Sequence, residues 1–281
     1  MTGSLRQLQL AELDILKEAL KLIEEHQLSY YMLGGTLLGA VRHQGFIPWD
    51  DDIDIGMPRP DYERFLALAE RELKPPYQLH TLHCNPGEYC YYFARVENTA
   101  IRLRRSAAIK ETEIPVWIDI FPLDGVPEDE KKRADWIRKC SFYLSLFKAS
   151  QFSYLGMSER IKKKRSLPKT IVRKLFLHCK LEKLISTRRA WECLDRALKE
   201  NRYEDCSTLI NFCGYWGLKE MFPKAVYGKG RLYPFEDLML CGPEDYDTVL
   251  KQMYGDYMTP PSEEKKEHHY VELIDSFSHL R

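Results

Sequence analysis

Asp52 and Asp54 are separated by one residue in the run Trp49-Asp-Asp-Asp-Ile-Asp-Ile55. On an extended strand, positions two apart share a face and lie roughly 6.5 Å from each other. Two carboxylates so placed repel unless a cation sits between them. A small set of hard oxygen ligands suits Mg²⁺, with Mn²⁺ as the alternative, because such an ion keeps waters and also binds substrate phosphates. Taken alone, an acid-x-acid pair is equally the composition of an acidic turn. Its surroundings sharpen the reading. Upstream, Gly34-Gly35 leads into Thr36-Leu-Leu-Gly-Ala-Val-Arg42, which can start a helix with Thr36 as cap. Glycines admit a phosphate close to the backbone, and a helix N-terminus presents amide donors and a positive dipole end. Arg42, one or two turns later, adds positive charge. A third acid, Asp119, stands among β-branched and aromatic residues in Trp117-Ile-Asp-Ile-Phe121. Burying it without a partner is costly. A shared metal site supplies that partner; the competing reading is a turn before Pro122.

The segments that must position these groups read as follows. Leu8, Ala11, Ile15, Ala19 and Leu22 recur at helical steps. The helix should end near His26. Tyr30 to Leu33 is a short β-type run, and Asp52 to Ile55 alternates as a strand ended by Pro58 and Pro60. Asp61 opens a helix with Tyr62, Phe65, Leu66, Ala69 and Leu73 on its apolar face. Segments 77–83, 89–96 and 100–104 and the run Val116 to Phe121 read as strands. The chain then turns helical from about 128 to 200, and its last third is rich in Tyr, Gly and Pro. This order predicts an α+β fold, a mixed sheet with flanking helices. The division expected is a catalytic core over 1–127, a basic helical region over 128–204, and a C-terminal region over 205–281 that completes the catalytic domain.

The 281 residues are 44% hydrophobic, which supports a substantial core, and 42 basic residues balance 42 acidic ones. Mean hydropathy is −0.45. The balance leaves no whole-chain footprint for nucleic acid. No apolar run is long enough to span a bilayer, and the first twenty residues lack a leader pattern. The eight cysteines form no CxxC and read as free thiols in a reducing compartment. His80, His83, Cys84 and Cys90 lie close enough to suggest zinc, but their spacing fits no common structural pattern. Between Gly156 and Ala190, twelve Lys or Arg face only Glu159 and Glu182. That run is a solvated helical face or a surface for anionic lipid or a pyrophosphate-linked glycan. The expected location is cytoplasmic, with peripheral contact at the inner membrane face through 156–190.

The Gly-Gly turn, helix, acid-x-acid strand and third acid resemble the nucleotidyltransferase arrangement of the DNA polymerase beta superfamily. The resemblance then narrows. The run Leu33 to Ile55, the segment Trp117-Ile-Asp-Ile-Phe-Pro-Leu-Asp-Gly125, the tail Leu232-Tyr-Pro-Phe-Glu236 and the stretch Tyr254-Gly-Asp-Tyr-Met-Thr-Pro-Pro261 are similar to the LicD family, which is itself similar to fukutin-type transferases. The resemblance implies transfer of phosphocholine, or another phospho-alcohol, from a CDP-activated donor such as CDP-choline to a glycan acceptor, with release of CMP. Teichoic acid, lipopolysaccharide or a lipid-linked glycan precursor would be the acceptor. Carried onto this chain, Asp52 and Asp54 are metal ligands, Asp119 is base or additional ligand, and Gly34, Gly35, Thr36 and Arg42 hold donor phosphate. Asp50 and Asp51 support the pair, and Trp49, Arg95, Lys219 and Glu236 are further candidates. A choline donor carries a quaternary ammonium, which aromatic faces hold well. Trp49, Tyr91, Tyr92, Trp117, Tyr215, Trp216 and Tyr233 are available. Two other readings are a nucleotidyltransferase that activates a sugar or alcohol phosphate, and a non-catalytic adaptor in cell-envelope assembly.

Overall fold

A computed structural model describes residues 3–82, 91–105, 112–155, 178–262 and 271–273. In chain order the helices are α1 (Gly3–Glu25), α2 (Gly34–His43), α3 (Arg59–Glu72), α4 (Glu130–Ser150), α5 (Phe152–Leu155), α6 (Thr187–Leu198), α7 (Lys224–Tyr227) and α8 (Tyr246–Tyr254). The strands are β1 (Tyr31–Met32), β2 (Asp54–Pro58), β3 (Tyr77–His80), β4 (Ala94–Arg105), β5 (Thr112–Gly125), β6 (Thr208–Ile210), β7 (Met221–Pro223), β8 (Arg231–Phe235), β9 (Leu238–Gly242) and β10 (Val271–Leu273). The fold is α+β, a mixed sheet with flanking helices as expected, and β8 and β9 pair as a second, two-stranded antiparallel sheet.

The sheet runs β1-β2-β5-β4-β10, with β3 also on β4 and β6-β7 continuing from β5. β2 and β5 are parallel, and β4 and β5 antiparallel. β5 is the central strand, buried without interruption from Val116 to Gly125. A strand buried along this length is covered on both faces rather than one. α1 supplies part of the cover: Leu8, Ala11, Ile15, Leu16, Ala19 and Ile23 are all buried. A second core gathers Trp136, Cys140 and Phe147 of α4 against Ala190, Leu194 and Leu198 of α6. Trp136 Nε1–H donates to Ala197 O at 2.8 Å across that contact.

Arg59 joins the two cores. It is the first residue of α3, and it donates from Nε and Nη2 to Asp124 Oδ1 and Oδ2 at 2.6 and 2.8 Å. Asp195 of α6 lies 3.5 Å from its Nη1.

Several boundaries differ from the sequence reading. β4 is one strand where two were expected. The polar stretch Glu97-Asn98-Thr99 is satisfied inside it: buried Glu97 meets His80 Nδ1 at 2.7 Å, and Asn98 Oδ1 accepts from Ala100 N–H. A register shift between Asn98 and Arg102 absorbs the break. β2 begins at Asp54 rather than Asp52. α3 begins at Arg59, with Pro60 in its first turn, rather than at Asp61. α2 begins at Gly34, so Thr36 lies inside it and does not cap it. Gly34 takes φ +49°, a conformation glycine adopts without strain, and that lets the helix start two residues early. Most of the basic run lies outside the described residues, as do His83, Cys84 and Cys90. Among the described residues, no helix is long and apolar enough to cross a membrane.

Candidate active site

A cavity of about 450 Å³ opens where the start of α2 meets the Asp50–Asp54 segment, and the 211–220 segment and α8 close it. Gly34, Gly35, Arg42, Trp49, Asp50, Asp52 and Asp54 all line it. The sequence reading had grouped these residues, and the fold brings them together.

The two glycines are tied to the carboxylates by contact. A Cβ on Gly35 would fall 2.4 Å from Asp50 Oδ2, and one on Gly34 would fall 3.3 Å from Asp54 Oδ2. Both carboxylates therefore rest on the first turn of α2, where helical amides lack intrahelical acceptors and the dipole favours negative charge. Leu33 N–H donates to Asp54 O at 3.0 Å, and Asp54 N–H donates to Thr36 Oγ1 at 2.8 Å. These two bonds lock the strand to the helix start. Thr36 is thus a buried positioning residue and not part of the cavity wall. Arg42 donates from Nη1 to Tyr257 O at 2.7 Å and from Nε to His43 Nε2 at 2.9 Å. Burial and Arg42 lower the His43 pKa, which keeps its ring the neutral acceptor.

Asp119 is the nearest sheet neighbour of Asp54, its partner in the β2–β5 register. It is buried, and its Oδ1 accepts from Arg95 Nε at 2.8 Å. The Arg95 guanidinium is in turn stacked near the rings of Tyr91 (3.8 Å) and Trp117 (4.2 Å). Arg95 and two of the candidate aromatics therefore serve Asp119. Among the described residues, only Glu25, His26 and Glu72 bring three ligating atoms within 4.8 Å of one another. There His26 Nε2 and Glu72 Oε2 are hydrogen-bonded at 3.0 Å near the surface. Asp52, Asp54 and Asp119 are not gathered to that spacing, and Asp119 is held by Arg95.

Other candidates lie behind the wall. Asp51 is buried beside the acidic segment. Glu236 accepts from Arg6 Nη1 and Nη2 at 3.1 and 2.6 Å and from Phe46 N–H at 3.2 Å, so it braces the loop that precedes the aspartates. Lys219 places its Nζ 5.2 Å from the centroid of Trp216. Tyr92 donates to Asp195, and Tyr233 to Pro243 O, both outside the cavity.

Sequence reasoning missed a layer under the acidic segment. α1 carries two polar residues on its buried stripe. Gln9 Nε2 donates to Asp50 O at 2.8 Å. Glu12 is 1% exposed, and its Oε2 has no hydrogen-bond partner among the described residues. Burial first, then Asp52, Asp51, Asp50 and Asp119, push its pKa well above the ordinary carboxylate range. The readable signal was a charged residue on an apolar helical stripe. The far wall was also missed: Asn211, Glu220, Tyr254, Asp256 and Tyr257 line the cavity. Tyr254 and Tyr257 lay within a quoted family motif but had no assigned role.

The chemistry available is thus a helix N-terminus and an arginine facing oxygen-only acids. Such a donor set suits a hard divalent cation rather than a soft one. Asp52 and Asp54 are the residues that could hold one. The upward push that Asp52, Asp51, Asp50 and Asp119 give the Glu12 pKa reflects the negative charge gathered here.

A family profile described as LicD/FKTN/FKRP, nucleotidyltransferase domain, matches residues 27–147. That span holds the Gly-Gly turn, the acidic segment and Asp119. The chain is also similar to the lipopolysaccharide cholinephosphotransferase LicD of Haemophilus influenzae, at 31% identity over 272 residues, covering 96% of this chain and 97% of that one. A shorter match, 36% identical over 78 residues, covers 27% of this chain and 25% of an uncharacterized protein of Rickettsia typhi. Because the first of these likenesses runs through the cavity walls from both ends of the chain, including the C-terminal segments that the profile does not reach, the chain belongs to the LicD family.

Proposed function

We propose that this protein moves phosphocholine, or a related phospho-alcohol, from a CDP-activated donor to a hydroxyl of a cell-surface glycan or its precursor, and releases CMP. One observation carries the proposal: a single cavity combines a glycine-started helix N-terminus, an arginine and oxygen-only acids, in a chain similar over nearly its whole length to a lipopolysaccharide cholinephosphotransferase.

In this reading the donor diphosphate lies at the amides of Gly34 and Gly35, with Arg42 adding charge. Donor and aspartates are both anionic and converge on one helix end. A divalent cation would resolve the conflict, and Asp52 and Asp54 are the residues that would hold Mg²⁺. When bound, the ion neutralises phosphate charge and lowers the pKa of the attacking hydroxyl. The acceptor oxygen attacks the phosphorus that carries the alcohol. The bond from that phosphorus to the bridging oxygen breaks, and CMP leaves with the electron pair. Asp119, fixed by Arg95, is either the acceptor of the hydroxyl proton or a further ligand. Gln9 and Glu236 act from behind by fixing the acidic loop and the turn before it. Catalysis is then chiefly positioning and electrostatics.

The test is CMP release from CDP-choline with Mg²⁺ and a cell-envelope glycan acceptor, using the native protein and Asp54→Ala. The proposal expects phosphocholine on the glycan, lost in the variant. Release that survives Asp54→Ala would contradict the assignment of the metal site.

A further inference from the structure

The cavity has a second end, remote in sequence from the aspartates. It is formed by Asn211 just after β6, by Trp216 and Glu220 of the turn Gly217–Glu220 and its N-cap, and by Tyr254 at the end of α8. Glu220 is 6% exposed. A carboxylate is rarely buried to this degree unless something compensates its charge. Trp216 N–H donates to its Oε1 at 2.9 Å, and the Asn211 side chain bonds it as well. Both are neutral donors. Burial pushes the Glu220 pKa up to about 7, with these two bonds pulling the other way. Tyr227 faces it from α7. Gly214 leaves room for the carboxylate, since a Cβ there would fall 2.1 Å from Oε1.

Asn211 is 3% exposed, and its Oδ1 has no hydrogen-bond partner among the described residues. Two aromatic rings complete this end. Trp216 and Tyr254 meet edge to face with centroids 5.2 Å apart, and Tyr215 packs on Trp216 at 5.4 Å beside the mouth. Tyr254 also reaches back, with its hydroxyl 3.9 Å from where a Gly34 Cβ would lie. This residue thus touches the phosphate end and the aromatic end together.

We propose that Glu220, Asn211, Trp216 and Tyr254 form the subsite for the cationic head of the donor alcohol, and that this subsite selects a trimethylammonium group over neutral polyols. The inference rests on the transferase reading above and assigns the residues that choose its substrate. A quaternary ammonium has no N–H to donate. It needs aromatic faces, which Trp216 and Tyr254 supply although Lys219 Nζ already lies 5.2 Å from the Trp216 centroid, and a nearby negative charge, which Glu220 supplies once ionised. The Glu220 lone pairs are already partly used by Trp216 and Asn211, which suits a ligand that asks for charge rather than hydrogen bonds. A neutral glycerol or ribitol head carries no charge for the carboxylate to attract and finds only the lone pairs that Trp216 and Asn211 leave.

The experiment measures binding of CDP-choline, CDP-glycerol and free choline to the full chain by calorimetry, with Mg²⁺ and without acceptor. The proteins are the native form, Glu220→Gln and Trp216→Leu, each checked for folding by its thermal transition. The proposal expects each variant to weaken CDP-choline about tenfold, about 1.4 kcal/mol, and to leave CDP-glycerol within about twofold. Equal weakening of both nucleotides, or of neither, would overturn it. If CDP-choline fails to bind but free choline binds the native protein and not Glu220→Gln, the subsite stands and the CDP-donor reading falls. If neither choline form binds the native protein, the subsite is refuted.

Discussion

Gly35→Ala should abolish most activity while sparing the fold. The added Cβ would sit 2.4 Å from Asp50 Oδ2. Ordinary contact needs about 3.4 Å, so the carboxylate must retreat by about 1 Å. Misplacement on that scale at a reacting centre costs on the order of 100-fold in rate. Stability moves little, because the clash is with the end of a side chain and alanine gains up to about 1 kcal/mol over glycine in a helix. The assay is CMP release alongside a melting curve. A double variant isolates the cause: with Asp50→Ala the obstructing oxygen is gone, so Gly35→Ala should add little to Asp50→Ala alone. If Gly35→Ala keeps activity within about threefold of native, or if the two losses multiply, the contact does not govern the site and the reasoning fails.

Further outcomes concern stability. Glu12 resists ionisation in the fold, whereas the unfolded chain ionises it at the ordinary carboxylate value. Its raised pKa therefore favours the folded state in acid and loses that contribution as pH rises through the folded value. Glu12→Gln in EDTA should melt higher than native at pH 8, with the gap closing toward pH 4; a lower melting point at pH 8 would contradict this. Arg59→Ala strands Asp124, whose side chain is 1% exposed, and should cost about 3–5 kcal/mol in denaturant unfolding. Gly39→Ala should also destabilise, because its Cβ would fall 2.4 Å from Gly45 O, a backbone atom that cannot swing aside; calorimetry checks it.

The α1 stripe, the β5 run and the Gly34–Asp54 grouping were legible because each is local and periodic, or held in one contiguous motif. The β2 boundary was not. Asp52 and Asp54 sit one residue apart, but only Asp54 joins the ladder. The same-face argument therefore gave the right neighbourhood from a strand that starts later. Thr36 looked like a cap because its type favours one; its hydroxyl instead serves Asp54 N–H, a bond visible only once β2 and α2 are adjacent. Arg95 and Glu236 were proposed as groups at the site, and the structure pairs them with Asp119 and Arg6, 24 and 230 residues away. The Asn211 and Glu220 end was illegible because polar residues dispersed over a Tyr- and Gly-rich third acquire meaning only when the chain folds them against α8.

The most direct test follows one phosphorus. CDP-choline carrying ³²P at either phosphate is given to the protein with Mg²⁺ and glycan acceptor. The account predicts that label next to choline appears on the glycan, while label next to cytidine leaves as CMP. Label next to cytidine on the glycan, with free phosphocholine released, would instead mark a nucleotidyltransferase and contradict the central claim.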